Sequence, residues 1–305
     1  MEGKTRVIVL FLDGVGIGSD DPQRNPFFAA RPGALSVFIR NQISHDSSQS
    51  GSLRMSSMVP LDATLGVAGL PQSGTGQTTL MTGVNASLQI GKHFGPYPYS
   101  ALRPLIKEHN IFRRFHGQGK SVRYVNAFPQ QFFDYLKTRN TRISAMTMSW
   151  LASGFELNDC AALREGRALS SDLTSERWNK LGFPAVDELT PFQAGRRLTQ
   201  IGSNHDFTLF EFYQTDKVGH RQSMSDAIAL LATLDEFVAG VLDEFAFETM
   251  LFVVVSDHGN LEDLTTKSHT RNPVPFLAIG KRHAELVRDA VDLTHFASAV
   301  ERVLS

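Results

Sequence analysis

Four short runs of the chain are apolar at nearly every position. They are Val7–Leu12, Thr208–Tyr213, Leu251–Val255 and Pro275–Ile279. Continuous apolar runs are typical of strands that are buried on both faces, whereas a half-exposed strand alternates apolar and polar residues. The four runs therefore predict a mostly parallel sheet that is covered by helices on both sides.

The segments between these runs have the spacing of helices. In Ser225–Phe245 and in Leu293–Leu304, apolar residues recur every three or four positions, which gives a helix one face to pack on a core. Pro191 is well placed to open a helix that runs to Gly202. Strands and helices in this alternation predict an α/β fold with a doubly wound, mostly parallel sheet.

The middle of the chain has weaker elements. After Gly95-Pro96-Tyr97-Pro98, the candidate strands are Val122–Ala127 and Ile143–Thr147. Ser44–Ser57 is rich in serine and polar residues and is predicted to be a surface loop. The change in pattern predicts a smaller α/β cap domain inserted into a catalytic core, with the cap at residues 98–190 and the core at residues 1–97 and 191–305.

Composition narrows the class of protein. The chain has 305 residues, 42% of them hydrophobic and 20% charged, with a formal net charge of −1. This balance gives no basic surface for nucleic acid or acidic membranes. Cys160 is the single cysteine, which excludes an internal disulfide framework and fits a reducing compartment. Val7–Leu12 is too short for a signal peptide or a spanning helix. We therefore expect a cytoplasmic protein without a membrane or nucleic-acid partner, and its oligomeric state stays open.

Carboxylates and imidazoles gather where the predicted strands end. Asp13 follows the first strand, and Ser256-Asp257-His258 follows Leu251–Val255, with His269 eleven residues further on. Asp216 and His220 follow Thr208–Tyr213 at a spacing of four, so that both side chains share one face of a helical turn. Open α/β sheets bind ligands beyond the carboxyl ends of their strands, and we therefore expect these side chains to meet.

A single aspartate after a strand is most often a turn former or a helix cap. The joint placement of three carboxylates and three imidazoles instead predicts two divalent metal sites. Mixed oxygen and nitrogen ligands favour Mn²⁺ or Zn²⁺, allow Mg²⁺ and disfavour Ca²⁺.

A glycine-rich segment supplies a candidate nucleophile. Residues 69–86, GLPQSGTGQTTLMTGVNA, combine a tight turn with the start of a helix, where backbone N–H groups favour an anion. Ser73 and Thr75 offer hydroxyls at that point, and metal coordination is one way to activate such a hydroxyl. The alternative is that Ser73 or Thr75 only caps the helix. A phosphate-binding P-loop is excluded, since GxxxxGK[ST] is absent.

Taken together, the motifs LDGVGIGSD, TDKVGH, SDHGN and HTRNPVP resemble those of the alkaline phosphatase superfamily. They are most similar to its branch of phosphopentomutases and cofactor-independent phosphoglycerate mutases, and they lie in about the first and last hundred residues. The chain lacks the N-S-E-V-G-H motif of the phosphoglycerate mutases and the threonine run of the phosphopentomutases. It also lacks the C/S-x-P-x-R signature of sulfatases.

The resemblance implies a role for each matching residue. One metal would be held by Asp216, His220 and His269, and the other by Asp13, Asp257, His258 and the hydroxyl of Ser73. Ser73 falls where the family places its phosphorylated residue, with Thr75 as the second choice. The family fold implies a mostly parallel sheet with a cap inserted after the nucleophile helix.

These residues predict a two-metal phosphoryl-transfer enzyme with a phosphoserine or phosphothreonine intermediate. It would be a mutase or a phosphomonoesterase for a small phosphorylated metabolite, either a sugar phosphate or a compound like phosphoglycerate. Arg123 and Arg142 are candidate substrate contacts, because they could clamp a phosphate from the cap, and the alternative is that they are solvated surface charges. His93 is a third candidate, because it follows the nucleophile helix and could face the site. The alternatives are a phosphodiesterase of the same superfamily and a non-catalytic metal-binding regulatory protein.

Overall fold

The computed structural model describes residues 4–30, 33, 55–139 and 141–305. Its six strands form one sheet in the order β2-β6-β5-β1-β4-β3. The strands are β1 (Arg6–Leu12), β2 (Ser56–Leu61), β3 (Val122–Tyr124), β4 (Phe207–Phe212), β5 (Met250–Val255) and β6 (Val274–Gly280). The four apolar runs of the sequence are β1, β4, β5 and β6, as predicted.

The central part of the sheet is parallel. Strand β1 pairs in parallel with β4 on one side and with β5 on the other, and β3 pairs in parallel with β4. Strand β6 is antiparallel to both β5 and β2. This arrangement confirms the predicted mostly parallel sheet.

Strand β2 corrects the prediction of a surface loop at Ser44–Ser57. Residues 44–54 lie outside the described residues, but Ser56 and Ser57 begin this edge strand. Its sequence SSMVPL has only a short apolar stretch and includes Pro60, because an edge strand can leave one side unpaired.

Helices cover both faces of the sheet. They are α1 (Pro26–Ala30), α2 (Ser73–Thr82), α3 (Ala86–Ile90), α4 (Arg103–His109), α5 (Ile111–Gly117), α6 (Gln130–Leu136), α7 (Ala145–Ala152), α8 (Cys160–Arg164), α9 (Glu176–Lys180), α10 (Pro191–Gly202), α11 (Gln214–Gly219), α12 (Met224–Asp243), α13 (His283–Val287) and α14 (His295–Leu304), with a 3₁₀ turn at Ser100–Leu102. The predicted helix at Pro191 begins with a capping box between Thr190 and Gln193. No helix in the described ranges is both long enough and apolar enough to cross a bilayer.

Alternate residues of β1 enter two different cores. Val7, Val9 and Phe11 pack on the face that carries helices α2 and α14, while Ile8, Leu10 and Leu12 pack on the face of α10 and α12. Helices α10 and α12 approach very closely: a Cβ added at Gly195 would lie 2.0 Å from the carbonyl oxygen of Phe237. Burial on both faces explains why β1 has no polar position between Val7 and Leu12.

The segment predicted as an inserted cap is in close contact with the main sheet. Its strand β3 is an edge strand of that sheet, and Phe115 of α5 packs on Phe207 of β4 with ring centroids 5.1 Å apart. The predicted strand Ile143–Thr147 is wrong, because α7 begins there and the Ser144 side chain accepts a hydrogen bond from the N–H of Thr147. The domain boundaries at 98 and 190 stay a prediction.

Candidate metal centre and active site

Three neighbouring strands deliver the predicted metal-binding residues to one edge of the sheet. Asp13 directly follows β1, Asp257 and His258 follow β5, and α11 places Asp216 just beyond β4. Because β4, β1 and β5 are adjacent and parallel, their carboxyl ends open on the same side. The strand order thus brings together residues that are up to about 245 positions apart in the chain.

Gly14 makes this approach possible. Its φ of +67° lies in the left-handed region, and a Cβ added there would lie 2.6 Å from Oδ1 of Asp216. A side chain at this position would therefore separate the loop after β1 from the loop after β4.

One cluster forms around His258. Its Nε2 lies 3.3 Å from Oδ1 of Asp13, 3.7 Å from Oδ2 of Asp257 and 3.0 Å from Oγ of Ser73. Asp257 and His258 are fully buried, and Asp13 and Ser73 nearly so. The sequence motifs predict these four residues as one metal site, and the structure brings them together.

A second cluster adjoins the first. Nε2 of His220 lies 3.2 Å from Oδ2 of Asp216 and 3.3 Å from Nε2 of His269, and His269 lies 3.5 Å from Oδ1 of Asp216. The His269 ring stacks on that of His258, with centroids 3.7 Å apart. His258 thus lies between the clusters, and its Nε2 is within 4.8 Å of ligand atoms from both.

The three histidines are oriented as metal ligands are. Nδ1 of His220 donates to the carbonyl of Lys267 (2.7 Å), Nδ1 of His269 donates to that of Pro71 (2.7 Å), and Nδ1 of His258 faces the carbonyl of Gly259 (3.3 Å). A carbonyl can only accept, so a proton is held on each Nδ1, and each Nε2 faces the cluster. This second contact is the usual way in which proteins fix a ligating imidazole.

Polar atoms without a partner also point to cations. Within the described ranges, buried Oδ1 of Asp13, Oδ2 of Asp257, Oδ1 of Asn260 and Oε1 of Gln77 have no hydrogen-bond partner. A buried unpaired acceptor is costly unless something binds it. The residues present therefore fit divalent ions, in agreement with the donor set.

The protonation of the clusters is strongly perturbed. Burial, together with the neighbouring carboxylate of Asp257, raises the pKa of Asp13 well above its usual range, and burial also raises the pKa of Asp257. Burial alone would lower the pKa of His258, but the carboxylates of Asp257 and Asp13 raise it to about 10. Burial and the charge of His258 lower the pKa of His269. So many buried acids in one place again favour a cation between them.

The first turn of α2 distinguishes the two candidate hydroxyls. Gln72 is the N-cap residue, and neither Ser73 nor Thr75 caps the helix with its side chain. Thr75 Oγ1 donates to the carbonyl of Gln72, 3.1 Å away, whereas Ser73 Oγ faces His258. The geometry brings the hydroxyl of Ser73 to the metal cluster and directs that of Thr75 to the backbone.

A cavity of about 500 Å³ opens onto Ser73 and the carboxylates of Asp13 and Asp216. Its wall carries aromatic side chains and a few polar groups, among them Tyr97, Tyr124, Phe128, Ser144, Glu211, Tyr213 and Lys217. Arg142 lines this cavity. His93 and Arg123 do not line it: His93 is held by Val67 and Ser87, and Arg123 by Asn158 and the carbonyl of Arg167.

Sequence reasoning missed Glu262, a buried residue that connects the metal-binding loops. Its Oε2 accepts from the N–H groups of Gly16 (2.8 Å) and Asn260 (2.7 Å). Its Oε1 accepts from Thr270 and from Asn272 (3.0 Å). One carboxylate therefore holds the loops that contain Asp13, His258 and His269. Its partners come from distant segments, so no local pattern could indicate this role.

Comparison with known proteins gives a family match at the C-terminal end. Residues 193–301 match the family model described as metalloenzyme superfamily. The 2,3-bisphosphoglycerate-independent phosphoglycerate mutase of Clostridioides difficile (strain 630) is 30% identical over 96 residues, which is 29% of this chain and 19% of that protein. The chain thus matches less than a fifth of the length of this relative.

Solved structures extend the likeness to the whole fold. The alkaline phosphatase from the Antarctic bacterium TAB5 aligns with a TM-score of 0.55 at 13% identity, over 99% of this chain and 98% of its own. A phosphoglycerate mutase of Leishmania mexicana aligns with a TM-score of 0.50 at 10% identity, over 99% and 95%. The fold is therefore that of the alkaline phosphatases. Together with the family match, it confirms the resemblance to the alkaline phosphatase superfamily and its phosphoglycerate mutase branch, and it supports divalent metal ions at the clusters.

Proposed function

We propose that the protein is a two-metal phosphoryl-transfer enzyme, in which Ser73 receives the phosphoryl group of a small phosphorylated metabolite. The observation that carries this proposal is the position of Ser73, whose Oγ lies 3.0 Å from Nε2 of His258 and which lines the cavity. A serine placed only for helix capping would have its hydroxyl on the backbone N–H groups of α2, and Ser73 does not.

We assign Asp216, His220 and His269 to one metal, and Asp13, Asp257, His258 and Ser73 to the other. Three carboxylates and three imidazoles suit Mn²⁺ or Zn²⁺ better than Mg²⁺, which prefers oxygen alone. Bound divalent ions would supply Lewis acidity to the serine hydroxyl and to the phosphoryl oxygens. Helix starts favour anions in general, so the position of Ser73 in the first turn of α2 suits a phosphoryl group.

Phosphomonoesters are the substrates that this site favours. The phosphoryl group would lie at Ser73, and the rest of the substrate would occupy the cavity between the aromatic wall and Lys217. Whether the phosphoserine then reacts with water or with a substrate hydroxyl separates a phosphatase from a mutase. The curated relative is named as a mutase and the TAB5 neighbour as a phosphatase, and both outcomes use the same first step.

The test compares wild type with Ser73→Ala and Thr75→Ala after reconstitution with Mn²⁺ or Zn²⁺. Phosphoryl release from a panel of monoesters and diesters, and ³²P transfer to the protein, are measured beside metal content. We expect Ser73→Ala to lose turnover and labelling while it keeps most of its metal, and Thr75→Ala to keep both. Full activity of Ser73→Ala would refute the assignment. Cleavage of diesters alone would indicate a phosphodiesterase, and two bound metals without any turnover would indicate a regulatory protein.

A further inference from the structure

Glu211 is a buried acid that the proposed metal chemistry does not use. It lies near the end of β4, whose other five residues are uncharged, and only 6% of its surface is exposed. It nevertheless lines the same cavity as Ser73. Burial of an ionisable group at such a position costs stability, and buried ionisable groups in clefts are often functional.

The partners of Glu211 are hydroxyls, not cations. Its Oε2 accepts from the phenol of Tyr124 and from Oγ of Ser144, 3.2 Å away. Oγ1 of Thr147 lies 3.3 Å from the Tyr124 oxygen and extends this hydroxyl cluster. In the part of the chain that the structure describes, no lysine, arginine or histidine pairs with Glu211. Nothing therefore holds the carboxyl in its charged form by direct ion pairing.

The arrangement leaves one oxygen for a ligand. Oε2 already accepts two hydrogen bonds, and no hydrogen bond from the described residues reaches Oε1. A proton on the neutral acid therefore belongs on Oε1. Burial raises the pKa of Glu211 to about 7, so that both forms are present at neutral pH. The titratable groups around it are Tyr124, Tyr213 and Asp257, and burial raises the pKa of each, so the two phenols stay neutral.

We propose that Oε1 of Glu211 contacts the ester oxygen of the substrate and exchanges a proton with the hydroxyl that this oxygen becomes. This proposal rests on the proposed function. In the forward step, the bond from Ser73 Oγ to phosphorus forms and the ester P–O bond breaks. The released oxygen takes the proton of Glu211 and leaves as an alcohol, while the proton of Ser73 passes to solvent. In the reverse step, Glu211 takes the proton of an alcohol whose oxygen bonds to phosphorus. The bond from phosphorus to Ser73 Oγ breaks, and Ser73 regains its proton from solvent.

The proposal predicts a dependence on the leaving group. An alkyl alcohol is a poor leaving group and needs a proton donor, whereas p-nitrophenolate leaves without one. General acid–base catalysis contributes about 10²–10⁴-fold. Glu211→Gln should therefore lower kcat for glycerol phosphate by about 10²-fold or more, and lower kcat for p-nitrophenyl phosphate by less than about tenfold. Equal losses on both esters would show that Glu211 is only structural and would overturn the proposal.

Tyr124→Phe is a second variant with a different signature. The Tyr124 phenol stabilises the Glu211 carboxylate, so its removal should raise the pKa of Glu211 further. Because the acid form is needed, activity on glycerol phosphate should fall as pH rises through the pKa of Glu211. In Tyr124→Phe this fall should move to higher pH, and p-nitrophenyl phosphate should show no such movement. An unmoved profile with glycerol phosphate would contradict the role of Glu211.

Infrared difference spectroscopy tests the contact without turnover. The spectrum of wild type minus Glu211→Gln at pH 6 should contain the C=O stretch of a protonated acid. Glycerol together with phosphate should shift this band, whereas inorganic phosphate alone should not. If glycerol with phosphate leaves the frequency of this band unchanged, the proposal is overturned, even if the enzyme is inactive on both esters. The proposed function itself fails separately, if Ser73→Ala keeps the activity that wild type shows.

Discussion

Oγ of Ser73 lies 3.0 Å from Nε2 of His258, although 185 residues separate them in the chain. Ser73 starts α2, and His258 follows the end of β5. The contact joins the candidate nucleophile to a histidine that lies between both groups of ligands. A small shift of α2 along its axis would therefore change the distance between the serine and the candidate metal ligands, so this distance reports whether the site is assembled.

The two ligand groups predict two separable metal losses. His220→Ala removes a proposed ligand from the group with Asp216 and His269, and should leave about one metal per chain, whereas we expect wild type to bind two. Asp13→Asn should instead lose the metal beside Ser73. Metal content of both variants by mass spectrometry, after dialysis against equal free Mn²⁺ or Zn²⁺, checks the division. Loss of both metals in each variant would show that the clusters form one cooperative unit.

Removal of metal should make stability depend on pH. In the metal-free protein, burial raises the pKa values of Asp13 and Asp257 above those of the unfolded chain. The folded state then keeps protons on these two carboxyls that the unfolded state has released, so their contribution to stability is present at low pH and is lost as pH rises through the raised pKa values. The lowered pKa of His269 acts in the opposite direction, at lower pH. Asp257→Asn removes one of these charges.

The free energy of unfolding by urea, measured at several pH values with and without chelator, tests this expectation. Asp257→Asn should be more stable than wild type at pH 7 when both are metal-free, and less stable when both are saturated with metal. Identical urea curves for the two metal-free proteins would contradict the idea that repulsion between buried carboxylates destabilises the site.

Gly14→Ala should weaken metal binding through a steric effect. The left-handed φ costs an alanine about 1–2 kcal/mol, and the new Cβ would also displace the carboxylate of Asp216. Gly91 is a matched control, because it has nearly the same φ (+70°) and nothing within 4 Å of an added Cβ. Both variants should lose the stability that the left-handed φ costs, and Gly14→Ala should lose more in thermal unfolding because of its contact with Asp216. Isothermal titration should show weaker metal binding for Gly14→Ala alone, and equal affinities would remove the steric explanation.

Glu262→Gln should loosen the metal-binding loops. Glutamine can keep one set of contacts, but its NH₂ group cannot accept from Thr270 and Asn272, so the change should cost about 1–3 kcal/mol. Residues behind metal ligands typically contribute about 10–100-fold to affinity, and we expect a loss in that range. Asp263→Asn is the control, since its pair with Arg24 is a surface pair worth about 1 kcal/mol or less. Unchanged metal affinity in Glu262→Gln would assign Glu262 to folding only.

The gathering of the candidate metal ligands could be predicted because each follows a local signal. Asp13, Asp216 and Asp257 come at or just beyond the ends of buried strands, and a parallel sheet brings such ends together. The strand β2 could not be predicted in the same way, since its pairing with β6 is formed across more than 200 residues. The loop residues alone left Ser73 and Thr75 open, because spacing does not give side-chain directions, and only the family resemblance favoured Ser73. Glu211 stands out in the sequence as an acid inside an otherwise apolar run. Its hydroxyl partners could not be predicted, because they come from β3 and the start of α7.

The central position of β1 limits how the protein can be divided. The segment 193–301 that matches the family model contains β4, β5 and β6, but not the strand that lies between β4 and β5. Expressed by itself, this segment would have two exposed strand edges. It would keep five of the six predicted Asp and His ligands and would lack Asp13, which follows β1. Strand β1 thus joins the two halves of the sheet, because it pairs with β4 on one side and β5 on the other. We expect a split protein to regain metal binding only when a peptide containing β1 is added back.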